Sequence, residues 1–339
     1  MARGRATIAE IAAEVGVSVS TVSKVLNGRS DVAPGTRTRV EQALERHDYR
    51  KPVDPSANAR PRLLDLVFHQ ANNLWSQEII RGVELVCGPA RIGVVLSELG
   101  GSHRPPTEWI DDVMARRPLG VLMVLASPDE RQRHQLRSRS IPFGVVDTQG
   151  EQPPGVPTVG SNNWNGGLTA TRHLIELGHR RIAVISGPPD ILCSRARVDG
   201  YRSAHDEAGL SHDPALTRWG GFDAGSGYRY GRELLDRPDR PTAIFAGSDQ
   251  QALGVVRAAH EFGLRVPQDL SVVGYDNLPI TQWLNPPLTT VDQPLREMAG
   301  LAAQMLIALA RGEQPESTRI ELMTELVVRS STAPPPPGG

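Results

Sequence analysis

Ser20, Thr21, Ser23 and Lys24 place four hydrogen-bonding side chains, one of them a cation, within five consecutive positions. Hydroxyls both donate and accept, and an ammonium donates three ways, a set suited to the acceptor-rich surface of a polyanion. On a helix advancing about 100° per residue, Val22, Val25 and Leu26 fall on the other side. One side therefore packs while the other meets solvent or a partner. Val19 and Ser20 stand at the helix N-terminus and would lead into a groove.

Such a helix needs neighbours to bury its apolar side. Ile8, Ile11, Ala12 and Val15 recur at i, i+3, i+4 and i+7, the stripe of a preceding amphipathic helix. Gly16 tolerates the left-handed turn that ends a helix, and Ser18 is a good N-cap for the next, so the connection spans about three residues. Thr7 to Asn27 thus reads as a helix-turn-helix, with an ordinary αα-hairpin in a helical core as the competing reading. Pro34 suits the first position of a third helix running to about His47, whose inner face is Val40, Ala43 and Leu44.

The chain has 339 residues, 39% hydrophobic and 22% charged, enough for two or three domains with a core. No apolar run approaches 18 residues and the N-terminus lacks a signal-peptide core, which predicts a cytoplasmic protein with no membrane partner. Cys87 and Cys193 match no metal-ligand spacing, so neither a disulfide framework nor a metal site is expected. Residues 1–62 hold 11 Lys+Arg against 7 Asp+Glu, a net of +4, while the remainder carries 26 against 31. A basic N-terminal unit on an acidic body suits a polyanion partner for the first part only, although a solvated surface gives the same modest excess.

Residues 50–62 hold three prolines and four basic residues and read as a linker. From Leu63, short apolar runs alternate with helical stretches: LLDLVF, IGVVLS, GVLMVL and FGVV as strands, with helices between them. After PTVG the series restarts with RRIAVIS, TAIFAG and LSVVGYD. This βα alternation predicts two α/β lobes with a ligand cleft between the carboxyl ends of their strands. NPPLTTVDQP reads as a crossing segment, and ELVVRS as a last strand.

Taken together, TIAEIAAEVGVSVSTVSKVLN, IIRGVE, LGHRRIAVISG, Arg197 with Gly200 and Tyr201, PTAIFAGSDQQALGVV, VPQDLSVVGYDN and PPLTTVDQP resemble the lactose/galactose repressor (LacI/GalR) family in their order along residues 6–332. The resemblance implies an N-terminal all-α helix-turn-helix domain plus an α/β two-lobed, periplasmic-binding-protein-like effector domain. The expected boundaries are 1–49 for DNA binding, 50–62 for the hinge and 63–332 for the body, followed by a disordered tail at 333–339. The first lobe is expected at about 63–158 and 290–320, the second at about 159–288 and 321–332. The implied activity is transcriptional repression by a homodimer on double-stranded operator DNA, with a small effector, a sugar, and no cofactor.

By position, Val19, Ser20 and Lys24 would face base edges, and Lys24 can reach guanine O6 and N7. Thr7, Ser18, Thr21, Ser23 and Asn27 would be phosphate contacts. The family's hinge helix carries Ala-Arg-x-Leu, but here Ala59 and Arg60 precede Pro61, which disfavours a helix. Asn162 stands where the family often has Asp. Matching effector positions are Arg197, Phe222, Ser248, Asp249 and Asp276, with Asn72, Trp75, Asn163 and Trp283 nearby. Arg offers a planar fork of donors to vicinal hydroxyls, Asp accepts from them, and aromatic faces cover a sugar's C–H side. Duller readings are a surface cation for Arg197, a helix N-cap for Asp276 and core packing for the aromatics.

Two other functions compete. An enzyme is disfavoured, since no lysine follows Lys51 and no G-x-S-x-G elbow occurs, while Gly225, Gly227 and Gly231 only mimic a dinucleotide fingerprint. A sugar-binding transport protein shares the two-lobed body but not the N-terminal unit.

Overall fold

A computed structural model describes residues 6–26, 32–47, 49, 62–147 and 152–336. Asn27 and the linker positions Ala59, Arg60 and Pro61 lie outside them.

The N-terminal unit comprises α1 (Ile8–Val15), α2 (Val19–Leu26) and α3 (Pro34–Arg46). A reciprocal cap starts α1: Thr7 Oγ1 accepts from the Glu10 amide at 3.3 Å, and the Glu10 carboxylate accepts from the Thr7 amide at 2.6 Å. Gly16, at φ +70°, ends it. The Ser18 hydroxyl then accepts from the Thr21 amide at 3.1 Å, so α2 begins at once. Ile11, Val22 and Val40, one from each helix, are fully buried together. Burying each contributes roughly 1.5 to 3 kcal/mol, which lets helices this short persist.

The body is two six-stranded sheets. The first runs β11-β5-β4-β3-β1-β2, with β1 (Leu63–Phe68), β2 (Gly93–Glu98), β3 (Gly120–Val124), β4 (Phe143–Val146), β5 (Thr158–Ser161) and β11 (Arg319–Leu322), all parallel. The second runs β12-β10-β9-β8-β6-β7, from β6 (Ile182–Ser186), β7 (Thr217–Trp219), β8 (Ala243–Ala246), β9 (Ser271–Asp276), β10 (Thr289–Asp292) and β12 (Glu325–Val327), of which only β12 pairs antiparallel. Helices α4 (Leu74–Cys87) and α11 (Leu295–Ala310) cover one face of the first sheet, α5 (Trp109–Arg116) and α6 (Glu130–Ser138) the other. On the second sheet, α9 (Ala224–Leu235) and α10 (Asp249–Glu261) lie opposite α7 (Asn163–Glu176) and α8 (Leu192–Glu207). Among the described residues no helix is long and apolar enough to cross a membrane.

Four details differ from expectation. Thr158–Ser161 closes the first sheet instead of opening the second lobe, and Thr289–Asp292 is a strand of the second sheet instead of a crossing segment. The first lobe also extends to Leu322 through β11, a strand with too few apolar residues to stand out. At the C-terminus, the expected disordered tail is in part anchored: the Ala333 amide donates to Ser271 Oγ at 3.0 Å and its carbonyl accepts from His179 Nε2 at 2.9 Å.

Helix pairing in the second lobe relies on close backbone approach. A Cβ at Gly254 would stand 2.1 Å from the Ala224 carbonyl and 2.3 Å from the Tyr228 amide, whereas one at Gly35 would meet nothing within 4 Å. Gly254→Ala is expected to lower stability by about 1 to 3 kcal/mol by prising α9 from α10. Gly35→Ala, on the exposed side of α3, should raise it by up to about 1 kcal/mol. Urea midpoints at unchanged m-value distinguish the two signs.

Candidate functional site

A cavity of about 480 Å³ opens between the lobes. Its walls come from the carboxyl ends of β1, β3 and β4 on one side and of β6 through β9 on the other, where the switch in strand order splays the loops apart. Six expected residues line it: Asn72, Trp75, Arg197, Phe222, Ser248 and Asp276.

Arg197 projects from α8 and is only 3% exposed. A desolvated guanidinium must have its donors satisfied. Its Nε donates to Asn163 Oδ1 at 2.8 Å, Nη1 to the Gly247 carbonyl, and Nη2 to Gln293 Oε1 at 3.3 Å. The guanidinium carbon lies 3.6 Å over the Tyr275 ring and 5.3 Å from that of Phe222. Asp276 Oδ1 stands 3.9 Å from Nη1, too far for a hydrogen bond. That oxygen is buried and has no hydrogen-bond partner. Burial raises the Asp276 carboxyl well above the usual carboxylate range, with the Asp249 and Asp147 charges adding to it and Arg197 opposing. Asp276 is neither an N-cap nor ordinary strand end: its φ is +110°, a strained conformation for a side-chain-bearing residue.

Gln293 joins the lobes. While accepting from Arg197, it donates through Nε2 to Asp147 Oδ2 and to Ser161 Oγ, each at 2.9 Å. Asp147 closes β4 in the first lobe and lines the cavity. Neither residue stood out in the sequence, Gln293 because a glutamine inside the motif PPLTTVDQP has no distinctive chemistry and Asp147 because a lone Asp after a strand is common. His69 and His103, also missed, stack in the cavity wall with ring centroids 3.8 Å apart.

The remaining expected positions do not reach the cavity. Asn163 orients Arg197 instead. Asp249 is fully buried at the start of α10, where Oδ2 accepts from the Leu278 amide at 2.7 Å and Oδ1 from the Thr290 hydroxyl at 2.5 Å. It fixes the turn after β9. Trp283 is 78% exposed on the 3₁₀ segment Pro279–Trp283, outside the cavity. Ser248 does line the cavity, but its hydroxyl caps α10 and donates to the Phe222 carbonyl at 3.1 Å.

On α2, Val19, Ser20 and Lys24 are exposed, and Thr21 and Ser23 half-buried. The hydroxyl of Ser18 is shared with Ser20 Oγ and Thr21 Oγ1 at 2.8 Å each, and Thr7 is engaged in its cap. Among the described residues no group of three or more potential metal ligands occurs.

Comparison with known proteins matches residues 7–51 to "Bacterial regulatory proteins, lacI family" and residues 171–332 to "Periplasmic binding protein-like domain". The chain is 35% identical to the HTH-type transcriptional regulator CelR of Thermobifida fusca, over 97% of this chain and 99% of CelR. It is 33% identical to the HTH-type transcriptional repressor PurR of Vibrio atlanticus, over 96% and 98%. A CelR–cellobiose complex superposes with a TM-score of 0.72 at 34% identity, covering 96% of this chain and all (100%) of that one. The lac repressor dimer bound to operator and an anti-inducer gives 0.69 at 26% identity, covering 97% and 100%.

Burial pushes Asp249 up to about 7, against the opposing hydrogen bonds from Thr290 and Leu278. A carboxyl raised in the folded state binds its proton more readily folded than unfolded, so its contribution is favourable in acid and is lost as pH climbs from about 4 through about 7. Asp249→Asn, which cannot ionise, should therefore gain stability relative to the wild type between about pH 5 and pH 8. Paired urea titrations at the two pH values measure the difference.

Proposed function

The chain belongs to the lacI family of bacterial regulatory proteins, and from that premise we propose that it is a repressor whose operator affinity is set by a sugar held between its lobes. It is a DNA-binding transcriptional regulator rather than an enzyme. It acts as a homodimer on double-stranded operator DNA. Two copies of α2 then address half-sites about one helical turn, roughly 34 to 36 Å, apart in successive major grooves.

The observation that carries the sugar reading is the pairing of Arg197 with the unpartnered Asp276 oxygen at the cavity wall. A hydroxyl donating to that oxygen satisfies it and stays within reach of the guanidinium, while Trp75 and Phe222 offer apolar planes on opposite sides of the cleft. CelR, similar along nearly its whole length, is a regulator with cellobiose bound. Base reading is assigned to Val19, Ser20 and Lys24, with Thr7, Ser18, Thr21, Ser23 and Asn27 holding phosphates. Closure of the lobes on the ligand changes the setting of Gln293 and Asp147, and with it the first lobe.

Four measurements test this. Retention of the chain's own upstream DNA should fall steeply with salt, and its absence at low salt removes the operator reading. A thermal-shift screen of mono- and disaccharides, phosphosugars and purines should show stabilisation by a sugar, and stabilisation by purines alone overturns the ligand class. Asp276→Asn should abolish the response to that sugar with operator binding intact. Lys24→Ala should relax the choice of one base pair per half-site by about 1 to 3 kcal/mol, whereas equal weakening on every sequence makes Lys24 a phosphate contact.

A further inference from the structure

The helix-turn-helix unit rests on the outer face of α5 and α6 in its own first lobe. Between them lies a second cavity, of about 450 Å³, lined by Val25, Leu26 and Leu44 of the N-terminal unit and by Met114, Ala115, Arg117 and Arg139 of the first lobe. Glu45 Oε1 on α3 meets His134 Nδ1 on α6 at 3.3 Å. This contact takes the C-terminal end of α2 and the side of α3, leaving Val19, Ser20 and Lys24 exposed. Docking and base reading use different sides of one small unit.

The same face is tied to the effector cavity. His103 and Leu125 line that cavity, and His103 Nδ1 donates to the Leu125 carbonyl at 2.5 Å. Leu125 itself is held at φ +51°. The Ser127 amide, on the way into α6, donates to the His103 carbonyl at 3.1 Å. Inside α6, the buried Gln132 donates through Nε2 to the carbonyls of Pro105 and Pro106, at 3.1 and 3.2 Å, on the way into α5. One hydrogen-bonded unit thus runs from the cleft wall to the two helices that seat the DNA reader.

We propose that the α5–α6 face is a docking surface for the chain's own helix-turn-helix unit in its DNA-competent state, and that it carries displacement of the cleft wall to α2 by a route separate from the linker. The docking rests on the contact alone; the transmission also rests on the cleft being the effector site. The Glu45–His134 pair, half-buried on the histidine side and exposed on the glutamate side, adds little energy and serves to report the register of the two surfaces.

The test uses the full chain. Cys87 and Cys193 are buried, so Glu45→Cys with His134→Cys offers two reactive thiols to a short bismaleimide. Docking predicts a crosslink within one chain that leaves retention of the upstream DNA intact, and transmission through the docked face predicts that the locked protein keeps its response to the sugar found by thermal shift. No crosslink, a crosslink only between chains, or loss of DNA retention on crosslinking overturns the docked, DNA-competent arrangement. Loss of the sugar response in the locked protein, with DNA retention kept, overturns the transmission route. If no sugar binds the unmodified chain, the ligand reading fails while the crosslink and DNA arms still decide the docking. A charge swap is independent of chemistry on thiols: His134→Glu should weaken operator binding about threefold by opposing Glu45, and adding Glu45→His should restore it. An unrecovered loss in the swapped pair counts against the contact.

Discussion

The buried guanidinium of Arg197 is the constraint around which the body is arranged. An ion taken out of water must find charge and hydrogen-bond partners in the interior or its burial costs several kcal/mol. Here the partners come from far-separated segments: Asn163 at the start of α7, Gly247 at the end of β8, Gln293 in the connection to α11, and the Tyr275 ring and Asp276 carboxyl at the end of β9. Each lies where a strand gives way to a helix or a crossing. The cation thereby fixes how the second lobe ends, and through Gln293 and Asp147 it reaches the first. Within this group Asp276 Oδ1 and Tyr275 Oη are buried without a hydrogen-bond partner, and of the two residues Asp276 is the one that lines the cavity.

The two lobes share one construction. Each begins with a strand that pairs with its second and third, so the order of the first five strands is 2-1-3-4-5 in both, and each completes its sheet with a strand from beyond the crossing to α11. In both, the change of direction lies between the first and third strands, and the loops leaving these strands, with those of their neighbours, are the ones that line the cleft. The chain crosses between lobes three times, after β5, β10 and β11. Relative movement of the lobes is consequently borne by short segments, of which the one holding Gln293 is hydrogen-bonded to both sides.

Much of this was legible in the residues. The βα alternation identified the lobes because parallel strands buried on both faces are nearly continuous apolar runs, as LLDLVF, interrupted by Asp65 alone, and AVIS are. The same rule hid β11 and β7, edge strands whose side chains are half wet. Arg197, Phe222 and Asp276 could be placed by position, but the geometry that separates Asp249 from them could not: adjacent to Ser248 in sequence, its carboxylate turns inward to Leu278 and Thr290. Trp283 shows the complementary error, since an aromatic near a motif says nothing about which way its turn faces. Networks such as Arg197–Gln293–Asp147 join residues up to 146 positions apart and leave no spacing to detect.

The N-terminal unit raises a different physical problem. Its three helices have 8, 8 and 13 residues and bury ten apolar side chains between them, little for an independent fold. Joined to the body through residues 50–61, twelve residues that can span at most roughly 43 Å, the unit has no orientation imposed by chain length alone. Reading two half-sites about 34 to 36 Å apart requires both copies of α2 at a defined angle as well as a defined distance. A tether constrains distance only. Defined angle needs a surface, and a surface attached to helices that begin at the cleft wall changes its pose when the cleft does. On this argument the proline at position 61 is less of an obstacle to control than it looks from the sequence, because the body can govern the reader by contact as well as through the chain that joins them.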